Sequence, residues 1–340
     1  MYTPPTKPRG RLAPSPTGNL HLGNAFAFLM AWLDVRSQGG TLLLRMEDID
    51  PARSRSDFAV SLMEDLRWLG LDWDEGPDRN GPTGPYVQSE RFGQYDALLL
   101  NFERRGLIYP CYCTRKELRT LASAPHIGDE GAPYPGICRN LEADKRARLE
   151  AEGRRASLRI NTYLAQAALG SPGDAVSFHD LVLGPQKIDL RDCGGDFALR
   201  RSDGVFAYQL AVAADDAAMG ITHVVRGEDL LLSTPRQILL FHLMGKTPPL
   251  YTHVPLLHDA MGERLAKRHK ALELASLRKT GVAPEAVVGY LGFLAGCLDR
   301  PQKASPRELL ADFQFAKLTK RALTLPPDIT SALLSLQFFS

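Results

Sequence analysis

The stretch Arg11-Leu-Ala-Pro-Ser-Pro-Thr-Gly-Asn-Leu-His-Leu-Gly-Asn24 constrains this chain more than any other. Pro14 and Pro16 lack the N–H that a sheet interior needs, so a strand ahead of them must stop there. The chain then turns through Gly18 and enters a helix near Leu22-Gly23. That helix runs on from Ala25 to Arg36 and meets a stop at Gly39-Gly40. A glycine-bearing strand-to-helix turn lets a nucleotide approach the backbone, and a helix N-terminus offers unpaired N–H groups to phosphate. His21 stands at that entrance as a donor for a phosphate oxygen. More than two hundred residues later, Glu263-Arg-Leu-Ala-Lys-Arg268 places Lys267 in a basic segment suited to an anion. The pair points to nucleotide chemistry.

The surrounding pattern fits that reading. Thr41-Leu-Leu-Leu-Arg-Met46 is an apolar run of buried-strand length, Ser56 to Gly70 has helical spacing, and Gln88 to Gly106 reads as another helix. Leu107-Ile-Tyr109 follows as a strand, with a turn expected at Pro110. Such alternation predicts a parallel sheet covered by helices. Residues 111 to 200 break the rhythm with cysteines, a Gly/Pro-rich piece from His126 to Gly136, a charged helical run from Leu141 to Arg155 and short strand-like runs. They read as an insertion. Regular α/β character returns from Phe206 to Asp216 and from Ile221 to Asp229. A further helix is expected from Thr234 as N-cap, with Pro235 at its first position and Gln237 completing a capping box.

Composition narrows the class. A chain of 340 residues, 44% hydrophobic, buries a substantial core. Five cysteines in such a chain argue against a disulfide framework, the first residues lack an apolar signal region, and no apolar run has the length of a membrane span. A cytoplasmic monomer is the expectation. The net charge of +2 is too small for general nucleic-acid coating, but from residue 261 onward twelve Lys/Arg stand against seven Asp/Glu. A basic C-terminal face of this kind suits the phosphates of a folded RNA.

The two peptides resemble the paired signatures of class I aminoacyl-tRNA synthetases, His-Ile-Gly-His and Lys-Met-Ser-Lys-Ser. Arg-x-Ala-Pro-Ser-Pro-Thr-Gly followed by Arg45-Met-Glu-Asp-Ile-Asp50 is similar to the glutamyl branch; the glutaminyl branch has Pro-Glu-Pro where this chain has Pro14-Ser-Pro16. The resemblance spans residues 9 to 296. It implies a Rossmann-type doubly wound parallel sheet with a zinc-containing insertion and a short helical C-terminal segment. The units it implies are catalytic halves at 9–110 and 201–260, an insertion with acceptor-binding elements at 111–200, and a signature loop with C-terminal segment at 261–340.

The implied chemistry is ATP-dependent, Mg²⁺-assisted formation of glutamyl-adenylate. Arg11 and Arg226 would bind the carboxylates of L-glutamate, since a planar guanidinium fork matches a carboxylate bidentately. Glu47 would meet the ammonium, and Ser15 and Tyr208 would hydrogen-bond the substrate. Gly18, His21, Gly23, Asn24 and Lys267 would hold ATP, with His21 and Lys267 stabilising charge as pyrophosphate leaves. Asn24 replaces the last His of the first signature, and Ala266 replaces the Ser before the critical lysine.

About seventy residues follow Arg268, fewer than the anticodon-binding region of a glutamyl enzyme requires. In this the chain is similar to truncated paralogues that pass glutamate to the queuosine base of tRNA(Asp). Two other readings stay open: a minimal glutamyl enzyme esterifying the 3′ end of tRNA(Glu), and a non-catalytic tRNA-binding paralogue. The pattern Cys111-x-Cys113 with Tyr134-x-x-x-Cys138 also matches the three-cysteine, one-tyrosine zinc arrangement of those paralogues. Cysteines at i and i+2 can face one metal across a tight turn; His126 or Asp129 could take the place of Tyr134. Cys193 and Cys297 have no metal spacing and are expected in the core.

Overall fold

The computed structural model describes residues 7–114, 116–118, 134–265 and 270–336. Strands β1 (Arg9–Leu12) and β2 (Thr41–Leu44) pair in parallel and are joined by helix α1 (Leu22–Ser37). Gly10 makes their packing possible, because a Cβ there would lie 2.4 Å from Val35 Cγ2 on α1. Helix α1 is buried around most of its circumference, from Leu22 to Val35, as befits a central helix covered on several sides. Helix α2 (Ser56–Trp68) ends at Gly70, whose φ of +77° lets the chain reverse. A 3-10 turn (Gln88–Arg91) leads into α3 (Phe92–Arg104).

Strand β3 (Ile108–Cys111) pairs antiparallel with β4 (Ser157–Ile160), which pairs with β7 (Ala198–Arg200). Between them lie α4 (Ala143–Ala151), α5 (Thr162–Ala167) and the hairpin β5 (Val176–Asp180) and β6 (Gly184–Ile188). The turn expected at Pro110 is instead strand: Pro110 sits opposite Leu158 on an edge strand, where a missing N–H is tolerated.

Helix α6 (Tyr208–Ala218) precedes β8 (His223–Gly227), and α7 (Thr234–Leu243) connects β8 to its parallel neighbour β9 (Leu250–Val254). The Thr222 N–H donates to the Arg9 carbonyl at 2.8 Å, and the Arg9 N–H donates to Thr222 Oγ1 at 2.8 Å, which sets β8 beside β1. The pair β2-β1 thus lies against the β8 edge of the sheet β8-β9-β5-β6, with no continuous ladder between β1 and β8 among the described residues. The chain winds outward in both directions from the β1/β8 boundary, and a ligand crevice is expected at the carboxyl ends of those two strands. Strand β5 joins the far side of β9 in parallel through Asp180 and Tyr251, and antiparallel β6 makes the sheet mixed.

After β10 (Leu257–His258), α8 (Leu274–Lys279) and α9 (Pro284–Leu294) pack toward α2 and α1; β11 (Leu323–Thr324) pairs with β10, and α10 (Ile329–Ser335) closes the described chain. One apolar core joins α1, α2, α9 and α10, while a second lies under α3, α6 and α7. Cys193 and Cys297 are both buried. No helix among the described residues is long and apolar enough to cross a membrane.

Candidate active site

His21 is the N-cap of α1. Its Nδ1 accepts the N–H groups of Gly23 at 3.1 Å and Asn24 at 3.4 Å, and Asn24 Oδ1 accepts the His21 N–H at 3.1 Å. Asn24 thus closes a reciprocal capping box. With Nδ1 committed as an acceptor, the neutral ring carries its proton on Nε2, beside the helix N-terminus. Gly23 permits the arrangement: a Cβ there would stand 3.0 Å from the imidazole Cε1. Gly18 lies in the bend at 16–18 and lines the cleft shared by Ser15, Asn19, His21 and Asn24.

Arg11, His21, Gly23, Asn24, Glu47, Tyr208 and Arg226 line one cavity at the carboxyl ends of β1 and β8. Beneath it runs a network of buried charges. Arg45, fully buried, donates through Nη1 to Asp216 at 2.6 Å and through Nη2 to Glu47 at 2.9 Å. Arg11 Nε lies 3.4 Å from Asp216. Asp215 receives Arg91 Nε at 2.6 Å, the Tyr95 hydroxyl at 2.8 Å and Gln88 Nε2 at 2.8 Å. Three arginines therefore face three carboxylates, so the network is balanced in charge as buried ions require. Burial raises the Glu47 carboxyl above its ordinary value, and Arg45 opposes that shift. Desolvation likewise raises the Tyr208 phenol.

Arg226 is held differently. Its Nε–H donates to His253 Nε2 at 3.2 Å, Nη1 to Gln237 Oε1 at 2.8 Å and Nη2 to Thr234 Oγ1 at 2.7 Å. The capping box expected at Thr234 and Gln237 does not form: Ser233 occupies the N-cap position without a side-chain cap, and α7 starts at Thr234. The two side chains serve the arginine instead.

Ser15 does not line the Arg11/Arg226 cavity. It is on the wall of an adjoining groove, which Glu47 and Tyr208 also line. Lys267 and the neighbouring Ala266 lie outside the described residues. At the base of that segment, Arg264 pairs with Asp229 at 2.6 Å on the cavity rim. Sequence reasoning missed the supporting roles of Arg45, Asp215, Asp216 and His253. The adjacent acids in the otherwise apolar, alanine-rich α6 were a readable signal, since acids on a buried helix face need partners.

Cys111, Cys113 and Cys138 have Sγ atoms within 4.8 Å of one another and could hold a metal ion. Cys113 and Cys138 are 3.6 Å apart, and Tyr134 Oη lies 3.3 Å from Cys111 Sγ while accepting the Cys138 N–H at 2.8 Å. The Arg159 guanidinium stacks 4.1 Å over the Tyr134 ring. Burial pushes the Cys113 thiol up to about 12 and raises the Tyr134 phenol, so a metal would bind with release of protons. His126 and Asp129 lie outside the described residues.

The model of the tRNA synthetases class I (E and Q) catalytic domain matches residues 7–320. The chain belongs to this family. Among its relatives, the Glutamyl-Q tRNA(Asp) synthetase of Nitratidesulfovibrio vulgaris is 57% identical over 325 residues, covering 96% of this chain and 98% of that protein. The protein of the same name from Symbiobacterium thermophilum is 49% identical over 95% of this chain and 98% of its own. The crystal structure of a glutamate-tRNA synthetase from Elizabethkingia anophelis superposes with a TM-score of 0.80 at 28% identity, covering 97% of this chain and 71% of that one. In this class I synthetase, the capped α1 N-terminus and the arginine-lined cavity flank the sheet's switch point.

Proposed function

We propose that this synthetase activates L-glutamate with ATP to glutamyl-adenylate and transfers the glutamyl group to the queuosine base of tRNA(Asp). One observation carries the reading: the relatives named for that activity match at 57% and 49% identity along almost the whole of both chains. A glutamate carboxylate oxygen attacks the α-phosphorus of ATP, which enters with Mg²⁺, and pyrophosphate departs. A hydroxyl of the queuosine cyclopentenediol then attacks the acyl carbon, its proton passes to solvent, and AMP leaves with the bonding pair.

The chain's own groups supply position and charge. Arg11 and Arg226 receive the two carboxylates, Glu47 meets the ammonium, and Tyr208 hydrogen-bonds the substrate from the cavity wall. Ser15 would contribute from the adjoining groove. His21 would donate from Nε2 to a phosphate oxygen, while Gly23 and Asn24 hold its imidazole in place and, with Gly18, line the approach to that anion. Lys267 meets the leaving pyrophosphate. Charge placed where it develops in the transition state needs no protein nucleophile.

The cysteine cluster is read as structural zinc. A tetrahedron with bonds of about 2.3 Å to sulfur and 2.0 Å to oxygen has edges of about 3.8 Å between sulfurs and 3.5 Å from sulfur to oxygen. The 3.6 Å between Cys113 and Cys138 and the 3.3 Å from Tyr134 Oη to Cys111 are close to two of these edges, and all three sulfurs lie within 4.8 Å, which supports Cys111, Cys113 and Cys138 as thiolates with Tyr134 as the fourth ligand. Zinc so bound would fold β3 against the segment at 134–138. The insertion at 111–200 and the basic residues beyond 261 would hold phosphates of the RNA.

The test is glutamylation of tRNA(Asp) with and without queuosine, with the modified nucleotide mapped. Labelled glutamate should appear on queuosine alone. Transfer to the 3′ end of tRNA(Glu), with queuosine-containing tRNA(Asp) left unlabelled, would overturn the reading.

A further inference from the structure

We propose that Asp180 and His253 form a relay that fixes the orientation of Arg226, making His253 a positioning residue for selection of the carboxylate substrate. The inference rests on the reading of Arg226 as a glutamate-binding group. Asp180 Oδ1 accepts the N–H groups of Val182 at 3.0 Å and Leu183 at 2.8 Å; Oδ2 accepts the His253 N–H at 3.0 Å and its Nδ1–H at 2.6 Å. Four donors hold a carboxylate that is wholly buried. They also settle the imidazole tautomer: Nδ1 carries the proton, so Nε2 must accept.

Two donors converge on Nε2, the Arg226 Nε–H at 3.2 Å and the Thr234 hydroxyl at 3.0 Å. The Tyr251 ring stacks on His253 at 6.2 Å and lies 5.2 Å from the Arg226 guanidinium carbon. Arg226 has five N–H donors, and His253, Gln237 and Thr234 take three. One N–H on each terminal nitrogen is left for a ligand.

The charges argue that the relay serves binding as well as packing. Arg11 and Arg45 both lie within 4 Å of carboxylates, whereas Arg226, only 5% exposed, has no carboxylate within that distance among the described residues. Its charge faces three neutral acceptors. A buried guanidinium gains most from an anion when its neighbours are neutral, and a carboxylate ligand provides that anion. A neutral His253 is therefore part of the design. Protonation would turn Nε2 into a donor directed at Arg226 and add a second cation.

The groups facing His253 are Asp180 from β5, Arg226 from β8 with Asp229 beyond it, Thr234 from α7 and Tyr251 on β9 itself. Burial, aided by Arg226, holds the imidazole below its ordinary value although Asp180 pulls the other way. Glutamate binding is then fully present at neutral pH and is lost as pH falls through the lowered value.

The test is ATP–pyrophosphate exchange with the full chain. His253→Asn keeps a donor near Nδ1 but loses the acceptor at Nε2, so the KM for glutamate should rise about tenfold or more while the KM for ATP stays within about twofold. His253→Gln restores an acceptor near Nε2, so its glutamate KM should lie closer to wild type and lose the acid limb of the pH profile. A wild-type glutamate KM in a folded Asn variant, or equal rises for both substrates, would overturn the relay. Arg226→Lys separates the two ideas. If that change leaves the glutamate KM unaltered, the pocket reading itself fails; if it raises the KM while His253→Asn does not, only the relay fails.

Discussion

Glu47 accepts a hydrogen bond from Arg45 at 2.9 Å, two residues upstream on the same extended segment. The carboxylate proposed to meet the substrate ammonium is therefore oriented before the substrate arrives. The same guanidinium reaches Asp216 at 2.6 Å, so one buried cation fixes an acid of the pocket and ties it to α6. Preorganisation of this kind lowers the reorganisation needed at the moment of reaction.

Arg45→Met should cost about 3–5 kcal/mol of stability, the scale found when one partner of a buried ion network is removed and the others remain. Chemical denaturation at pH 7 measures it. A loss below about 1 kcal/mol would mean that the surrounding acids satisfy one another by sharing protons.

His21→Asn separates capping from catalysis. Asn is among the best N-cap residues, so stability should change by less than about 1 kcal/mol. The variant lacks the Nε2–H donor, and adenylate formation should fall about a hundredfold. Exchange at the wild-type rate would mean that His21 serves α1 alone.

Lys267→Ala should reduce pyrophosphate exchange about a hundredfold or more without lowering the melting temperature. An unchanged rate would transfer the role to Lys270, the next basic candidate in that segment.

Metal analysis should find one zinc per chain, and Cys111→Ser should lose it. Because the proposed glutamate and ATP contacts lie outside the cysteine cluster, transfer to tRNA should suffer more than adenylate formation. A metal-free protein with a normal melting curve would refute the zinc site.

Asp34, on α1, gives a pH signature. Burial raises its carboxyl to about 7 despite a hydrogen bond from Gln38. A folded-state value above the unfolded one means that this group destabilises the fold as pH rises from about 4 to 7, with no further loss above. Asp34→Asn should therefore gain on the wild type through that window and then hold a constant difference. Melting curves from pH 4 to pH 8 measure it, and parallel curves would refute the assignment.

Much of the site was legible because its signals are local. Pro14, Pro16 and the His21-Leu-Gly sequence end a strand and open a helix by steric and hydrogen-bonding rules that act over a few residues. Arg11 and Arg226 could be placed at strand ends for the same reason. Thr234 and Gln237 were misread because helix capping and arginine binding use the same residue types; only the position of β8 beside α7 decides between them. Pro110 was read as a turn because nothing local distinguishes an edge strand from a chain reversal. The link between Asp180 and His253 spans 73 residues and depends on sheet order, which no periodicity encodes.

The bond from His253 to Asp180 also sets a rule for exchanging parts between relatives. The β5–β6 hairpin meets β9 through one paired residue, and that residue is Asp180. A chimera that grafts residues 111–200 from another synthetase thereby imports the group that sets the His253 tautomer. Recipient and donor must match at positions 180 and 253 together, or a swap intended to change the RNA acceptor would alter amino-acid selection as well.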